Sequence, residues 1–311
     1  MAVLFVFSLR PAAAAEELVF YDSIETGGSG MPVTSGGVYR DLEADTSKAA
    51  PQAPEPPPRD GLYHIRFVVD DGSLERAKAF SELFLSHPVF APFWARFSIE
   101  YLVADTERLN CRNDNPASPR SIRCDREYAL SLGTSPAHLT AIFTSRASGG
   151  SGGRVPIASL DYPLPTMLHE LLHAWGLNDE YTYSASEAEY YCSNPKIVKG
   201  PNTASFSLPG PYSSDRDARA VLSDRVPWLD AIVSLPVTGP ADQNGMLTLG
   251  TQPSADDGSP GLFSGSNCSL VRPSFRAYKA DTIMKSLSST WIPPVHSKAV
   301  LAVIGSAAGW N

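Results

Sequence analysis

Residues 166–181 read Thr-Met-Leu-His-Glu-Leu-Leu-His-Ala-Trp-Gly-Leu-Asn-Asp-Glu-Tyr. His169 and His173 stand four apart, so on a helix both imidazoles lie on one face, one turn apart, within reach of a single metal ion. Glu170 follows His169 in the H-E-x-x-H arrangement, where the glutamate is general base to a water activated by zinc. A catalytic zinc takes three protein ligands and keeps a fourth position open. Asp179, in the spacing H-E-x-x-H-x-x-G-x-x-D, is the candidate third ligand; Glu180, the next residue, is its rival. The expected cofactor is Zn2+ and the expected chemistry hydrolysis.

A helix must carry the two imidazoles, and the flanking residues favour one. Pro165 suits a first helical position, Leu168, Leu171, Leu172 and Trp175 supply apolar surface, and Gly176 is a natural stop. Directly upstream, Arg154–Ser159 reads as a short strand, expected at a sheet edge where an extended peptide could add. Leu62–Val69 reads as a buried strand, followed by a turn at Asp70, Asp71 and Gly72 and a helix over Ser73–Ser86 with Ser73 as N-cap. The paired aspartates are better explained by that turn than by a metal or catalytic pair. Phe90, Phe93, Trp94 and Phe97 are expected in the core, Phe97–Val103 as a partly exposed strand, residues 105–125 as a polar loop, and His138–Ser145 as a third strand. Gly149–Gly153 lacks the context of a phosphate-cradling loop and reads as a tight or mobile connection. Residues 182–260 look loop-dominated, with one short helix from Ser214 to Leu222; Glu187 and Glu189 are set aside as distant ligands because Asp179 is in place. Pro293 and Pro294 start a last helix, expected to stop near Gly305, with His296 on its first turn in a structural role.

The whole chain has 311 residues, 43% hydrophobic and 19% charged, enough to bury a full core in one main domain. A net charge of −8 argues against a nucleic-acid partner. No apolar run reaches the roughly 18 residues that span a membrane. Residues 2–9 are apolar and precede Ala12–Ala15, as in a signal peptide over residues 1–15; an N-terminal strand is the alternative. Residues 16–60 then form an N-terminal segment with a Pro-rich linker, and 61–311 the catalytic domain. Four cysteines fit a secreted or periplasmic protein with two disulfides. Of three possible pairings, Cys111 with Cys124 and Cys192 with Cys268 is favoured.

Over residues 62–304 the sequence resembles the IgA-specific metalloendopeptidase family of zinc peptidases. The likeness rests on the G-G-S-G-G loop at 149–153, His169–His173, Asp179-Glu180-Tyr181, Pro201-Asn202, Gly261-Leu262-Phe263, Arg272-Pro273-Ser274 and Ile283-Met284-Lys285. The resemblance implies a metzincin-like α/β fold, a twisted mixed sheet with an active-site helix, an extended zinc motif and a Met-turn over Asp281–Lys285. It implies endopeptidase activity on a polypeptide substrate, His169 and His173 as zinc ligands and Glu170 as base. Leu172 replaces the family's usual glycine, and the spacing to Asp-Glu-Tyr is one residue shorter. The third ligand therefore stays open between Asp179 and Glu180.

Overall fold

The computed structural model describes residues 60–114, 118, 120–133, 135–207, 210–252 and 258–310. The expected signal peptide and nearly all of the Pro-rich segment lie outside the described residues. A mixed sheet, in the order β2-β1-β3-β5-β4, is built from β1 (Tyr63–Val69), β2 (Phe97–Val103), β3 (Leu139–Thr144), β4 (Gly150–Ser151) and β5 (Ile157–Ser159). The first three strands and β5 run parallel, and β4 pairs antiparallel with β5. Because β1 and β3 are covered on both faces, they are buried along nearly their whole length, as parallel strands under helices must be.

One face packs against α1 (Leu74–Ser86), α4 (Pro165–Ala174) and α8 (Pro294–Ala308). Ile65, Phe67 and Val69 of β1 point there, together with Phe80 and Phe84 of α1, Leu168 and Leu171 of α4, and Val300 and Ile304 of α8. The other face, led by Val68 and Ile142, packs on Leu109, Ile122 and Ala129 from the segment carrying α2 (Thr106–Leu109) and α3 (Arg126–Ser131). Period-two alternation of the strands thus feeds two cores.

The segment between α4 and α8 holds more structure than its composition suggests. It contains α5 (Ala185–Tyr191), α6 (Pro195–Val198), β6 (Thr203–Ser205), α7 (Asp215–Leu222), β7 (Thr238–Ala241), β8 (Leu247–Leu249), β9 (Phe263–Ser264) and β10 (Ser274–Arg276). These elements are too short to show a period; α5 and α6 gather with Tyr183 around the Cys192–Cys268 disulfide, and the later ones around a separate core of Trp228, Leu262, Phe275 and Tyr278. The expected cap of α7 is present, with Ser214 accepting from the Asp217 amide. The disulfides are Cys111–Cys124 and Cys192–Cys268, the favoured pairing.

Several expectations need correction. Ser73 precedes α1 but makes no cap; its hydroxyl donates to Asp70, which also accepts from the Thr144 and Ser145 hydroxyls, each at 3.0 Å. Asp70 is therefore a buried tie between the ends of β1 and β3. Trp94 is 51% exposed rather than core, since the segment around it is a 3-10 turn with an outward side. The strand at 157–159 is not an edge, because the chain at Gly150–Ser151 folds back beside it and takes the edge position. Helix α8 runs past Gly305 to Ala308, and Gly305 lies buried in it.

Candidate metal centre

Helix α4 starts with Pro165 in its first turn and buries Met167, Leu168, Leu171 and Leu172, which fixes the rotation of its other face. It ends in a Schellman turn: Gly176 N–H donates to His173 O (2.9 Å) and Leu177 N–H to Leu172 O (3.0 Å), with Gly176 at φ +92°. That left-handed glycine sends the chain back beneath the helix and brings Asp179 under the imidazoles.

Three atoms meet there. His169 Nε2 and His173 Nε2 are 3.1 Å apart, and Asp179 Oδ1 lies 3.1 Å from the first and 3.2 Å from the second. A tetrahedral zinc with ligand bonds of about 2.0–2.1 Å requires its ligand atoms to stand about 3.3 Å apart. The imidazole tautomers suit it. His169 Nδ1 is 2.9 Å from Ile283 O and His173 Nδ1 is 2.8 Å from Leu177 O; a carbonyl only accepts, so each Nδ1 carries the proton and each Nε2 turns a lone pair to the centre. Asp179 Oδ1 is buried without a directed hydrogen bond, while its Oδ2 accepts from the Tyr183 hydroxyl at 2.9 Å. Three electron-rich atoms this close repel one another unless a cation or a proton sits between them, so the residues present fit a divalent metal. Protonation is the metal-free compromise. Burial pulls His173 down, but the Asp179 charge and contact outweigh it and raise the imidazole to about 9. Burial likewise pushes Asp179 up, and the two imidazoles more than reverse this, holding its carboxyl well below the usual range.

Glu170 is 7% exposed, and its carboxylate and the two imidazoles offer ligand atoms within 4.8 Å of one another. Burial, the largest influence, raises its pKa. The edge strand presses on this group: a Cβ on Gly150 would stand 2.2 Å from Glu170 Oε1, and one on Gly152 would stand 2.7 Å from His173 Cβ. Only glycine permits that approach, so the glycine run is a wall of the site rather than a loose connection.

Glu180 faces the other way. Its side chain is buried beside His296 Nε2 (2.9 Å) and accepts from Asn202 Nδ2 (3.1 Å) and Thr282 Oγ1 (2.6 Å). Its amide donates to Met284 O at 2.8 Å, holding the 282–284 turn whose Ile283 carbonyl orients His169. His296 is thus structural, as expected. Glu187 instead closes a capping box with Ser184 at the start of α5 and accepts from Arg120 Nη2 at 3.2 Å. The sequence reading missed Tyr183, Asn202 and Arg120. Asn202 brackets the site from below through the Asn178 amide (2.9 Å) and carbonyl (2.7 Å), and lies in a motif noted only for its resemblance.

The centre opens into a cleft of about 720 Å³ lined by Gly150–Gly153, Tyr181, Arg120 and Lys285 among others. No protein-family model and no curated protein matches the chain. Among solved structures it is similar to archaemetzincin from Methanopyrus kandleri, at 17% identity over 39% of this chain and 78% of that chain, with a TM-score of 0.28. So loose an overlap carries no argument, and the meaning of the site rests on the site's own geometry.

Proposed function

We propose that the chain is a zinc-dependent, metzincin-like metalloendopeptidase. The observation that carries this reading is the triangle of His169 Nε2, His173 Nε2 and Asp179 Oδ1, with Oδ1 buried and unsatisfied, opening beside Glu170 onto a cleft. His169, His173 and Asp179 hold the ion. Zinc held there supplies Lewis acidity, which brings the ionisation of water to near neutral pH and polarises a carbonyl. Glu170 takes a proton from the attacking water and delivers it to the leaving amine; its raised pKa, a product of burial, suits both acceptance and return. The free side of β4 offers main-chain groups to which an extended peptide would add as a further strand, bringing its scissile bond into the cleft beside Glu170. The Asp281–Lys285 turn serves as the Met-turn: Met284 is fully buried and the adjoining Ile283 carbonyl fixes the tautomer of His169. Two disulfides suit an oxidising compartment, which supports a role outside the cytoplasm.

A peptide pool incubated with wild-type protein, with Glu170→Gln and with chelator-treated protein tests this, new termini being read by mass spectrometry. The wild type cuts; the chelated protein cuts only after zinc is restored; Glu170→Gln loses about 10²- to 10⁴-fold of the rate while its zinc affinity stays within a few-fold. Cutting by metal-free protein sinks the reading. A collapse of zinc affinity in Glu170→Gln would instead make Glu170 a fourth ligand closing the site, and the zinc structural.

A further inference from the structure

We propose that Arg120 receives a carboxylate of the substrate, giving the cleft a preference for peptides that carry a negative charge near the scissile bond. The inference rests on the peptidase reading for its substrate class and on independent geometry for its position.

Arg120 comes from the loop closed by Cys111–Cys124, whose base is fixed by paired backbone hydrogen bonds between Arg112 and Arg123 (2.8 and 2.9 Å). This loop is tied to the edge strand. The Arg120 carbonyl abuts Gly149 so closely that a Cβ there would stand 2.1 Å away, and the Ser121 hydroxyl is 3.0 Å from that of Ser151. Arg120 is therefore held at the strand to which the peptide main chain adds, in the same cleft as His169, Glu170 and His173.

Its guanidinium is braced from one side only. Nη2 donates to Tyr181 Oη (3.3 Å) and Glu187 Oε1 (3.2 Å), and the group lies 5.1 Å over the Tyr181 ring. Glu187 gives Arg120 only Oε1, because its Oε2 accepts from the Ser184 amide (3.0 Å) and hydroxyl (2.9 Å). The Arg120 side chain stays 54% exposed, and its Nε and Nη1 have no hydrogen-bond partner among the described residues. A fork held by one nitrogen and stacked on a ring presents its remaining donors in the planar geometry that matches a carboxylate. The other cation lining the cleft, Lys285, is held by Asp281.

Two sources of that carboxylate are possible, an acidic side chain or the peptide's own C-terminus. Peptides identical except for Glu or Gln at one position, each made as free acid and as amide, are titrated calorimetrically onto wild-type protein, R120Q and R120K with zinc added; cutting is followed separately. The wild type is expected to bind the carboxylate form about tenfold more tightly than its neutral partner. R120Q abolishes that preference and R120K keeps part of it, because a point charge replaces the fork. A preference that follows the side chain fits an endopeptidase, and one that follows the terminus fits a carboxypeptidase; either supports the role of Arg120. Absence of any preference in the wild type, or its survival in R120Q, overturns the proposal. Arg120-dependent binding without cutting would sink the peptidase reading and leave this inference standing, and cutting without the preference would do the reverse.

Discussion

Asp179 and Glu180 are neighbours in sequence with opposite environments. Each enters a buried group of histidine and carboxylate, and the groups differ in what they leave undone. Around Asp179 two lone pairs and an unsatisfied oxygen converge beneath a cleft. Around Glu180 the carboxylate finds Thr282 and Asn202 as donors with His296 alongside, and both Glu180 and His296 are sealed from solvent. The same residue types thus make an open centre on one side of the chain and a closed clamp on the other. Chemistry belongs to the group that opens on the cleft; the sealed one, in which the Glu180 carboxylate is satisfied, holds the first in place.

The largest expected effect on this contrast is at the clamp. Glu180→Ala strands Thr282, Asn202 and His296 in a dry site and should cost about 3–5 kcal/mol of stability, measured by denaturant unfolding of the metal-free protein. A loss within error would mean the two groups are not functionally divided. Asp179→Asn should act chiefly on the metal, lowering zinc affinity by more than about a hundredfold, beyond the usual cost of an outer-shell partner, while metal-free unfolding loses only what the His173–Asp179 pair supplies below about pH 9. Competition with a chromophoric chelator reads this, and unaltered affinity would remove Asp179 from the ligand set. Tyr183→Phe removes the hydroxyl that donates to Asp179 Oδ2 and should weaken zinc by about 10- to 100-fold; a stronger effect than that of Asp179→Asn would invert the roles assigned here.

The smallest effect is a pH dependence confined to the open centre. In the metal-free protein His173 is raised from 6.5 to about 9, so its contribution is whole below pH 6.5 and is lost as pH climbs through about 9. Asp179 is depressed below 3.8, so its contribution is present above pH 3.8 and lost on strong acidification. The melting temperature of metal-free protein should therefore fall by a few degrees between pH 6.5 and 9. Zinc affinity should rise over the same interval, because the metal displaces the shared proton. A flat melting temperature in Asp179→Asn is the matching control; a slope there as steep as in the wild type would place the titrating group elsewhere.

Local features can be read from the chain without its fold. The four-residue spacing of His169 and His173, Gly176 as the stop of their helix and the strands at 63–69, 97–103 and 139–144 were legible, because period and turn chemistry act over short stretches of chain. Long-range packing settled which of two adjacent carboxylates faces the imidazoles. That choice depends on Asn202, Thr282 and His296, residues distant in sequence that take Glu180 for themselves and leave Asp179 to the other side. It also decided that Gly150–Ser151 is the sheet edge and that Arg120 reaches the cleft. Neither carries a periodic signal, since an edge is defined by what fails to pair with it and a loop side chain by the surface it is folded against.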